Sequence, residues 1–289
     1  MSALTCFCHR ALALLAASLV AGGAAALECG EPAPDASRIA VAGGSLAEIL
    51  YALEEEGRIV AVDRTATYPP AAREHPQIGY VRNLSAEGLL SLQPTLVLGE
   101  HDMGPPAVVD QLKALGLDLA VVPERFDAEG IAAKIRCVAA LLGREAAGEA
   151  LVSEVLAGVE PAPVADDAPR GMVLLGLRGG SPVAAGRDTS GSGLLAMAGA
   201  RNALEGFEGW KPVSEEALAV AAPAFIVVPE RGIADAGGLD ALLAHPALRL
   251  TPAAQARRVI AMDGMAMLGF GPRTVATAAE LRERLRGGP

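Results

Sequence analysis

Residues 84–98 read Leu-Ser-Ala-Glu-Gly-Leu-Leu-Ser-Leu-Gln-Pro-Thr-Leu-Val-Leu, and residues 213–227 read Val-Ser-Glu-Glu-Ala-Leu-Ala-Val-Ala-Ala-Pro-Ala-Phe-Ile-Val. The two stretches share four residue pairs at an offset of 129: Ser85 and Ser214, Glu87 and Glu216, Leu89 and Leu218, and Pro94 and Pro223. Each stretch predicts a helix capped by Ser, a turn marked by Pro and an apolar strand of the kind that parallel sheets bury. One such unit in each half of the chain predicts two lobes of similar topology. The cleft between them is therefore the first place to look for function.

The N-terminus has the features of a secretory signal peptide. Arg10 is followed by an apolar stretch, residues 11–20, and by a small-residue run that ends at Ala26. The apolar stretch is too short to be a stable membrane span. We expect cleavage after Ala26 and export of a soluble protein to an oxidising compartment.

Two cysteines, Cys29 and Cys137, remain after that cleavage. A pair of cysteines in an oxidising compartment favours a disulfide. The alternative is two unpaired thiols, with Cys137 packed as a small apolar residue, because the sequence gives no distance between the two sulfur atoms.

Charge and composition exclude several classes of partner. The chain has 24 Lys and Arg against 34 Asp and Glu, a net charge of −10, which argues against nucleic acid and anionic membrane surfaces. Aromatic residues make up only 3% of the chain, with Trp210 the single tryptophan, which argues against a carbohydrate site. No later segment is long and apolar enough for membrane insertion, and we expect a monomer.

The alternation of strand and helix patterns predicts an α/β fold: two Rossmann-like lobes joined by a long helical linker, with the ligand cleft between them. We place the N-terminal lobe at residues 27–126, the helical linker at 127–160 and the C-terminal lobe at 161–289. The linker is rich in Ala, Leu, Glu, Lys and Arg, and a break is expected near Gly143.

Three local features add detail. Ser45-Leu-Ala-Glu48 predicts a capping box that opens a helix running to Glu56. Residues 178–193 read as a Gly-rich loop. Residues 64–83 form a long stretch without periodicity, and such stretches inside a compact domain are usually functional.

Motifs of hydrolases, nucleotide-binding enzymes and zinc sites are absent from the sequence. Glu100, His101 and Asp102 follow a predicted strand and could form the metal site of an exported metal-dependent enzyme. A solvated loop is the simpler interpretation of these three residues, because lone His residues are seldom ligands.

Several segments carry a specific resemblance. The chain resembles the haem-binding periplasmic proteins of bacterial haem-uptake ABC transporters in Thr65-Ala-Thr-Tyr-Pro-Pro70, Gly79-Tyr-Val-Arg-Asn-Leu-Ser-Ala-Glu-Gly88, Gly206-Phe-Glu-Gly-Trp-Lys-Pro-Val-Ser-Glu-Glu-Ala-Leu218 and Leu268-Gly-Phe-Gly-Pro-Arg273. The resemblance implies a periplasmic binding protein, not an enzyme, that captures haem and delivers it to an ABC importer. The wider class also carries cobalamin and iron siderophores, which are the alternative ligands.

The resemblance implies that Tyr68 is the axial ligand of the haem iron. A phenolate is a hard anionic oxygen donor suited to ferric iron, and tyrosine is an established axial ligand. A free phenol has a pKa near ~10, so the iron and a nearby guanidinium would have to stabilise the anion at neutral pH. We expect Arg73 or Arg82 to supply that guanidinium.

Haem also carries two propionates, for which Arg178 and Lys211 are candidate partners at the cleft. Trp210 departs from the family, in which tyrosine is common at the matching place; an indole can stack on a porphyrin but cannot ligate iron. Residues 178–193 contain no histidine, so we expect a five-coordinate or water-completed iron. The sequence does not distinguish one haem from two.

The same resemblance implies that Glu87 and Glu216 dock onto the two halves of a permease dimer, since the class uses one glutamate on each lobe. Their matching places in the repeat support this role. The alternative is that each is an acid in the first turn of a helix, where the helix dipole favours it. Glu215 beside Glu216 is a second candidate in the C-terminal lobe.

Overall fold

The computed structural model describes residues 29, 33–157 and 164–287. The predicted signal peptide at residues 1–26 and the predicted end of the linker at residue 160 lie outside the described residues. Among the described residues, no helix combines the length and the apolarity that crossing a bilayer requires.

The N-terminal lobe is a parallel sheet with helices around it. Its elements are β1 (Ile39–Ala42), α1 (Gly44–Ala52), β2 (Ile59–Val62), β3 (Gly79–Tyr80), β4 (Asn83–Leu84), α2 (Ala86–Ser91), β5 (Leu96–Glu100), α3 (Pro106–Ala114) and β6 (Asp118–Val122). The sheet order is β2-β1-β5-β6, with every neighbouring pair parallel, while β3 and β4 form a separate antiparallel pair. Strand β1 is fully buried, as expected for a parallel strand covered on both faces.

The linker consists of two helices, α4 (Ala128–Leu141) and α5 (Glu145–Val155). They separate at Gly143, whose φ of 66° suits a residue without a side chain. Ile131 and Ile135 of α4 lie in the same apolar core as Ile39 and other N-terminal lobe residues. The linker is therefore packed against the first lobe, as well as connecting it to the second.

The C-terminal lobe contains a mixed sheet. Its elements are β7 (Arg170–Arg178), β8 (Ser181–Ala185), α6 (Ser190–Met197), β9 (Arg201–Asn202), β10 (Trp210–Pro212), α7 (Glu215–Ala221), β11 (Phe225–Pro229), α8 (Glu230–Asp235), α9 (Leu239–Leu243), α10 (Pro252–Gln255), β12 (Val259–Met262), α11 (Gly264–Leu268) and α12 (Thr274–Arg286). The order is β10-β8-β7-β11-β12, and β9 also pairs with β7.

This second sheet is only partly parallel. Strand β11 is parallel to β7 and β12, whereas β8 is antiparallel to β7 and β10 is antiparallel to β8. The prediction of a Gly-rich loop over residues 178–193 is wrong in part, because the segment contains β8 and the start of α6. Pro182 and the small residues of β8 hid its strand character from the sequence analysis.

The internal repeat corresponds to a repeated structure. Helix α2 leads into β5, which lies between β1 and β6; helix α7 leads into β11, which lies between β7 and β12. Ser85 caps α2 by accepting a hydrogen bond from the Gly88 amide at 3.1 Å, and Ser214 caps α7 through the Ala217 amide at 3.2 Å. The two-lobed α/β fold predicted from the sequence is confirmed.

Candidate functional site

A buried carboxylate organises the loop that follows β2. Asp63 is fully buried and accepts hydrogen bonds from the Gly43 amide at 3.0 Å, the Val81 amide at 2.9 Å, and the amide and hydroxyl of Thr65 at 3.1 and 2.6 Å. Burial raises the pKa of Asp63, while these hydrogen bonds oppose the shift. Because Thr65 and Val81 lie near the two ends of the loop, Asp63 fixes the loop to the first βα turn.

Tyr68 lies on this loop, and 46% of its surface is exposed. A short 3₁₀ helix, Pro70–Glu74, follows it, and Arg73 of that helix donates a hydrogen bond to the Thr67 carbonyl at 3.2 Å. The guanidinium over the Tyr68 ring comes from Arg273 of the C-terminal lobe, with its Cζ 4.0 Å from the ring centroid. The structure thus brings the predicted ligand residue to the junction of the two lobes.

Arg273 is held in place by carboxylates from both lobes. Its Nη2 lies 2.5 Å from Oε1 of Glu48 in α1, and its Nη1 lies 3.3 Å from Oδ1 of Asp263 at the end of β12. Burial raises the pKa of Glu48, an effect that the bond to Arg273 opposes. The sequence analysis did not single out Arg273, although it quoted the Leu268–Arg273 segment; an Arg directly before a C-terminal helix was the available signal.

Arg82 is engaged with two other residues. Its Nε donates to Oδ2 of Asp102 at 2.6 Å, and its Nη1 donates to the Tyr80 hydroxyl at 2.7 Å. The Arg64 guanidinium also lies 5.6 Å from the centroid of the Tyr80 ring. Among the described residues, Arg273 places its guanidinium over the Tyr68 ring, and a role for Arg73 or Arg82 beside the phenol stays a prediction.

Two second-lobe candidates, Trp210 and Lys211, lie on β10, the strand that pairs with β8. Trp210 pairs with Ala185 across β10 and β8, and its half-buried indole packs with apolar residues of that lobe. A Cβ at Gly191 of α6 would lie 3.0 Å from this indole, so the tryptophan is in close contact with the helix. Lys211 is exposed, and its Nζ lies 5.8 Å from the centroid of the Phe207 ring.

Two arginines stand where strands of the second lobe end. Arg178 is the last residue of β7, and its side chain lies outside the described part of the structure. Arg231 is the second residue of α8, the helix that follows β11, and 88% of the Arg231 side chain is exposed. Ligands of open α/β sheets bind at the carboxyl ends of strands. Arg231, which pairs with Asp235 at 3.6 Å, is therefore a further candidate that the sequence analysis did not name.

Glu87 and Glu216 are both exposed in the first turns of α2 and α7. A hydrogen bond with Ser214 is the main cause that lowers the pKa of Glu216. Glu215 is half-buried, so Glu216 is the more accessible of the adjacent pair.

A buried ionic cluster connects the lobes near the start of the linker. The Lys134 ammonium, 1% exposed, contacts Oε2 of Glu124 at 2.7 Å, the Ser45 hydroxyl at 3.1 Å and the Gly269 carbonyl of the C-terminal lobe at 3.0 Å. Ser45 in turn donates to Oε1 of Glu100 at 2.6 Å. The ammonium thus pairs directly with Glu124 and is linked to Glu100 through the Ser45 hydroxyl.

The pKa values of both acids in this cluster are raised. Burial raises the pKa of Glu124 to about 7 against the opposing effect of Lys134, and burial also raises the pKa of Glu100. Oε1 of Glu124 is buried without a hydrogen-bond partner among the described residues.

The predicted capping box at residues 45–48 is wrong. Helix α1 begins at Gly44, and Gly43 is the residue before it, with no side-chain cap. Gly43 has a φ of 148°, and a Cβ there would lie 2.5 Å from Cγ of Glu100. Ser45 and Glu48 instead direct their side chains to Lys134 and Arg273.

Glu100, His101 and Asp102 point to separate partners. Glu100 contacts Ser45, Asp102 contacts Arg82, and the His101 ring lies 6.5 Å from the Phe126 ring. Burial lowers the pKa of His101. Across the part of the chain that the structure describes, no group of three or more His, Cys, Asp or Glu is arranged to hold a metal ion.

Cys29 and Cys137 form a disulfide, with their Cα atoms 5.5 Å apart. Cys137 is buried in α4, among the residues of the N-terminal core. The bond therefore ties the start of the described chain to the linker.

Comparison with known proteins places this arrangement in a family. The model of a family described as periplasmic binding protein matches residues 39–266. This chain belongs to the periplasmic binding protein family. The proteins of this family bind ligands, which agrees with the two-lobed site described above.

Solved structures similar to this periplasmic binding protein include the periplasmic haem-binding protein BhuT in complex with two haems. That protein is 41% identical, with a TM-score of 0.80, and the match covers 86% of this chain and 98% of BhuT. The periplasmic haem-binding protein RhuT from Roseiflexus sp. RS-1 is 37% identical, with a TM-score of 0.81, over 88% of this chain and 99% of RhuT. The resemblance predicted from the sequence is confirmed.

Part of the chain is also similar in sequence to vitamin B12-binding proteins. The protein of Yersinia pestis is 31% identical over 88 residues, which is 30% of this chain and 31% of the relative's length. The chain therefore matches about a third of the length of these curated relatives.

Proposed function

We propose that this protein binds haem in the cleft between its lobes and delivers it to an ABC importer from the periplasm. The observation that carries the proposal is the exposed phenol of Tyr68, held at the lobe junction with the Arg273 guanidinium 4.0 Å from its ring centroid. A phenolate beside a guanidinium suits ferric iron, because the cation stabilises the anionic ligand. The similar haem-binding structures span almost the whole described chain.

Haem is favoured over cobalamin by the extent of the matches. The vitamin B12-binding relatives match 30% of this chain, whereas the haem-binding structures cover 86% and 88% of it. A siderophore saturates its own iron and would leave the exposed Tyr68 phenol without a role.

The propionates of the haem would meet cations at the cleft. Arg178 and Lys211 remain the candidates from the sequence, and Arg231 joins them because it is exposed after β11. Trp210 could contribute an apolar surface, although its indole is already half-buried against α6. For Arg178 and Arg231 the role rests on position at the carboxyl ends of β7 and β11, whereas Lys211 lies within β10.

Delivery would use the two equivalent helices. Glu87 and Glu216 are exposed at the same place of α2 and α7, so one negative charge on each lobe is available to a permease dimer. We propose that this pair docks the loaded protein onto its importer, and that the protein performs no chemistry on its cargo.

Titration of the purified protein with ferric haem tests the function. We expect a tyrosinate-type spectrum with a charge-transfer band, and loss of that band in Tyr68→Phe. Tyr80→Phe is the matched control, because Tyr80 lies on the same part of the lobe and its hydroxyl contacts Arg82. A wild-type protein that leaves the haem spectrum unchanged, or that responds to cobalamin instead, contradicts the proposal. A band lost in Tyr80→Phe and kept in Tyr68→Phe moves the ligand to Tyr80.

A further inference from the structure

We propose that the permease is bound by two exposed apolar side chains, Leu90 of α2 and Val220 of α7, as well as by the docking glutamates beside them. The partner surface that fits this pair is an apolar pocket next to a basic residue, once on each half of a permease dimer. The inference rests on the function proposed above. It adds to that function a part of the contact that does not depend on charge.

Val220 is unusually exposed for an apolar residue. At 88%, it has the highest exposure of the large apolar residues in the described part of the chain. The inward side of α7 is already supplied by Leu218, which is fully buried. A β-branched residue is also less favourable than Ala at an exposed helix position. Folding therefore does not explain a valine at this position.

Helix α2 has a similar arrangement in the other lobe. Leu89 is fully buried in the core of that lobe, whereas the adjacent Leu90 is 37% exposed. Residues three or four positions apart are neighbours on one face of a helix, so Leu90 lies beside Glu87. Val220 lies beside Glu216 in the same way, four positions after it. Each lobe thus presents one carboxylate and one apolar side chain on the same outer face of a helix.

The charges of these two surfaces favour a basic protein partner. Among the described residues, neither Glu87 nor Glu216 pairs with an Arg or Lys, so both carboxylates are available to cations of a partner. A second copy of this chain would bring like charges together, because the net charge is −10. An anionic lipid surface is disfavoured for the same reason. Two like surfaces, one on each lobe of a repeated fold, fit a partner with two equivalent halves.

The apolar side chains and the glutamates act on binding in different ways. Attraction between exposed charges acts at a distance and is screened by salt. Burial of an apolar side chain acts only in the formed contact and is not screened. The glutamates should therefore determine how fast the complex forms, whereas Leu90 and Val220 should determine how slowly it separates.

Surface plasmon resonance with the haem importer of the source organism, reconstituted in lipid nanodiscs, tests the inference. The haem-loaded protein is passed over the immobilised importer at ~0.05 and ~0.5 M NaCl. For Val220→Ala we expect the dissociation constant to rise about tenfold at both salt concentrations, mainly through a faster off-rate. Leu90→Ala should show a smaller rise, because Leu90 is already partly covered in the free protein.

Leu115→Ala is the matched control. Leu115 is 60% exposed and directly follows α3, outside both docking helices, so this variant should bind the importer as the parent does. Because Ala favours a helix more than Val does, Val220→Ala should unfold at the same urea concentration as the parent or at a higher one. A weaker complex made by a protein of undiminished stability then reports the lost contact.

The outcomes separate this inference from the function on which it rests. Parental protein that binds no haem, or that binds haem but not the importer, contradicts the proposed function. An unchanged dissociation constant in Val220→Ala, with weaker binding in Glu216→Ala, overturns the inference and leaves docking by charge intact. An effect of Val220→Ala that disappears at high salt, or an equal effect of Leu115→Ala, also overturns it. Parental dimers in sedimentation velocity that Val220→Ala abolishes would assign the surface to a second copy of this chain and overturn it as well.

Discussion

Replacing Glu124 with Gln removes one buried charge from the lobe junction and keeps the shape of the side chain. Glu124 is 7% exposed, pairs with Lys134 at 2.7 Å, and has a pKa raised by burial from 4.5 to about 7. The folded protein therefore holds this proton more tightly than the unfolded chain does. Stability from this group is fully present below pH 4.5 and is lost as the pH rises towards 7.

The size of the stability change follows from the shift in the pKa of Glu124. At ~1.36 kcal/mol per pKa unit, a pKa moved from 4.5 to about 7 corresponds to roughly 3 kcal/mol. Glu124→Gln cannot titrate, so its free energy of unfolding should lose this pH dependence. The free energy of unfolding of the variant minus that of the parent should rise by roughly 3 kcal/mol between pH 4.5 and pH 8. Loss of the ion pair adds a constant to this difference and does not change its rise.

Urea unfolding followed by circular dichroism, at several pH values between 4.5 and 8, measures this difference. Glu149→Gln is the matched control, because Glu149 is exposed in α5 and pairs with Arg136 on the surface. Its stability profile should run parallel to that of the parent. Parallel profiles for the parent and Glu124→Gln would refute the raised pKa of Glu124.

Two further predictions concern delivery and loop geometry. The double variant Glu87→Ala, Glu216→Ala should bind haem as the parent does and should reduce uptake by a reconstituted transporter. Its association with the transporter should weaken most at low salt, where charge attraction is least screened. Uptake at the parental rate, or loss of haem binding, would contradict the docking role. Asp63 accepts four hydrogen bonds that hold the Tyr68 loop, two on each carboxylate oxygen. Asp63→Asn keeps one acceptor oxygen and turns an NH2 group towards the other two donors. Loss of bonds to a charged group costs roughly 1.5–3 kcal/mol, so haem affinity in an absorption titration should fall about tenfold or more. An unchanged affinity would show that the loop keeps its geometry without the carboxylate.

The sequence predicted those parts of the fold whose causes are local. The helices α2 and α7 follow from Ser85 and Ser214, which cap them through amides only three residues away. The buried strands β5 and β11 follow from continuous apolar runs. The linker break followed from Gly143, which takes a positive φ.

The lobe junction could not be predicted in the same way. Ser45 and Glu48 have the spacing of a capping box, yet their partners Lys134 and Arg273 lie 89 and 225 residues away. A tertiary ionic contact of that separation leaves no local pattern and overrides the cap. The candidate ligand Tyr68 was predicted through a family resemblance, while the contact of Arg273 with it required the structure to bring two distant segments together.

The disulfide between Cys29 and Cys137 has a practical consequence for labelling chemistry. A chain that starts after residue 26 contains these two cysteines and no others, and both sulfur atoms are already bonded to each other. Maleimide dyes and spin labels would therefore react only with a cysteine introduced on purpose, provided that the protein is produced in an oxidising compartment. The native background needs no serine substitutions before fluorescence or resonance experiments, and every added thiol reports from a single known position.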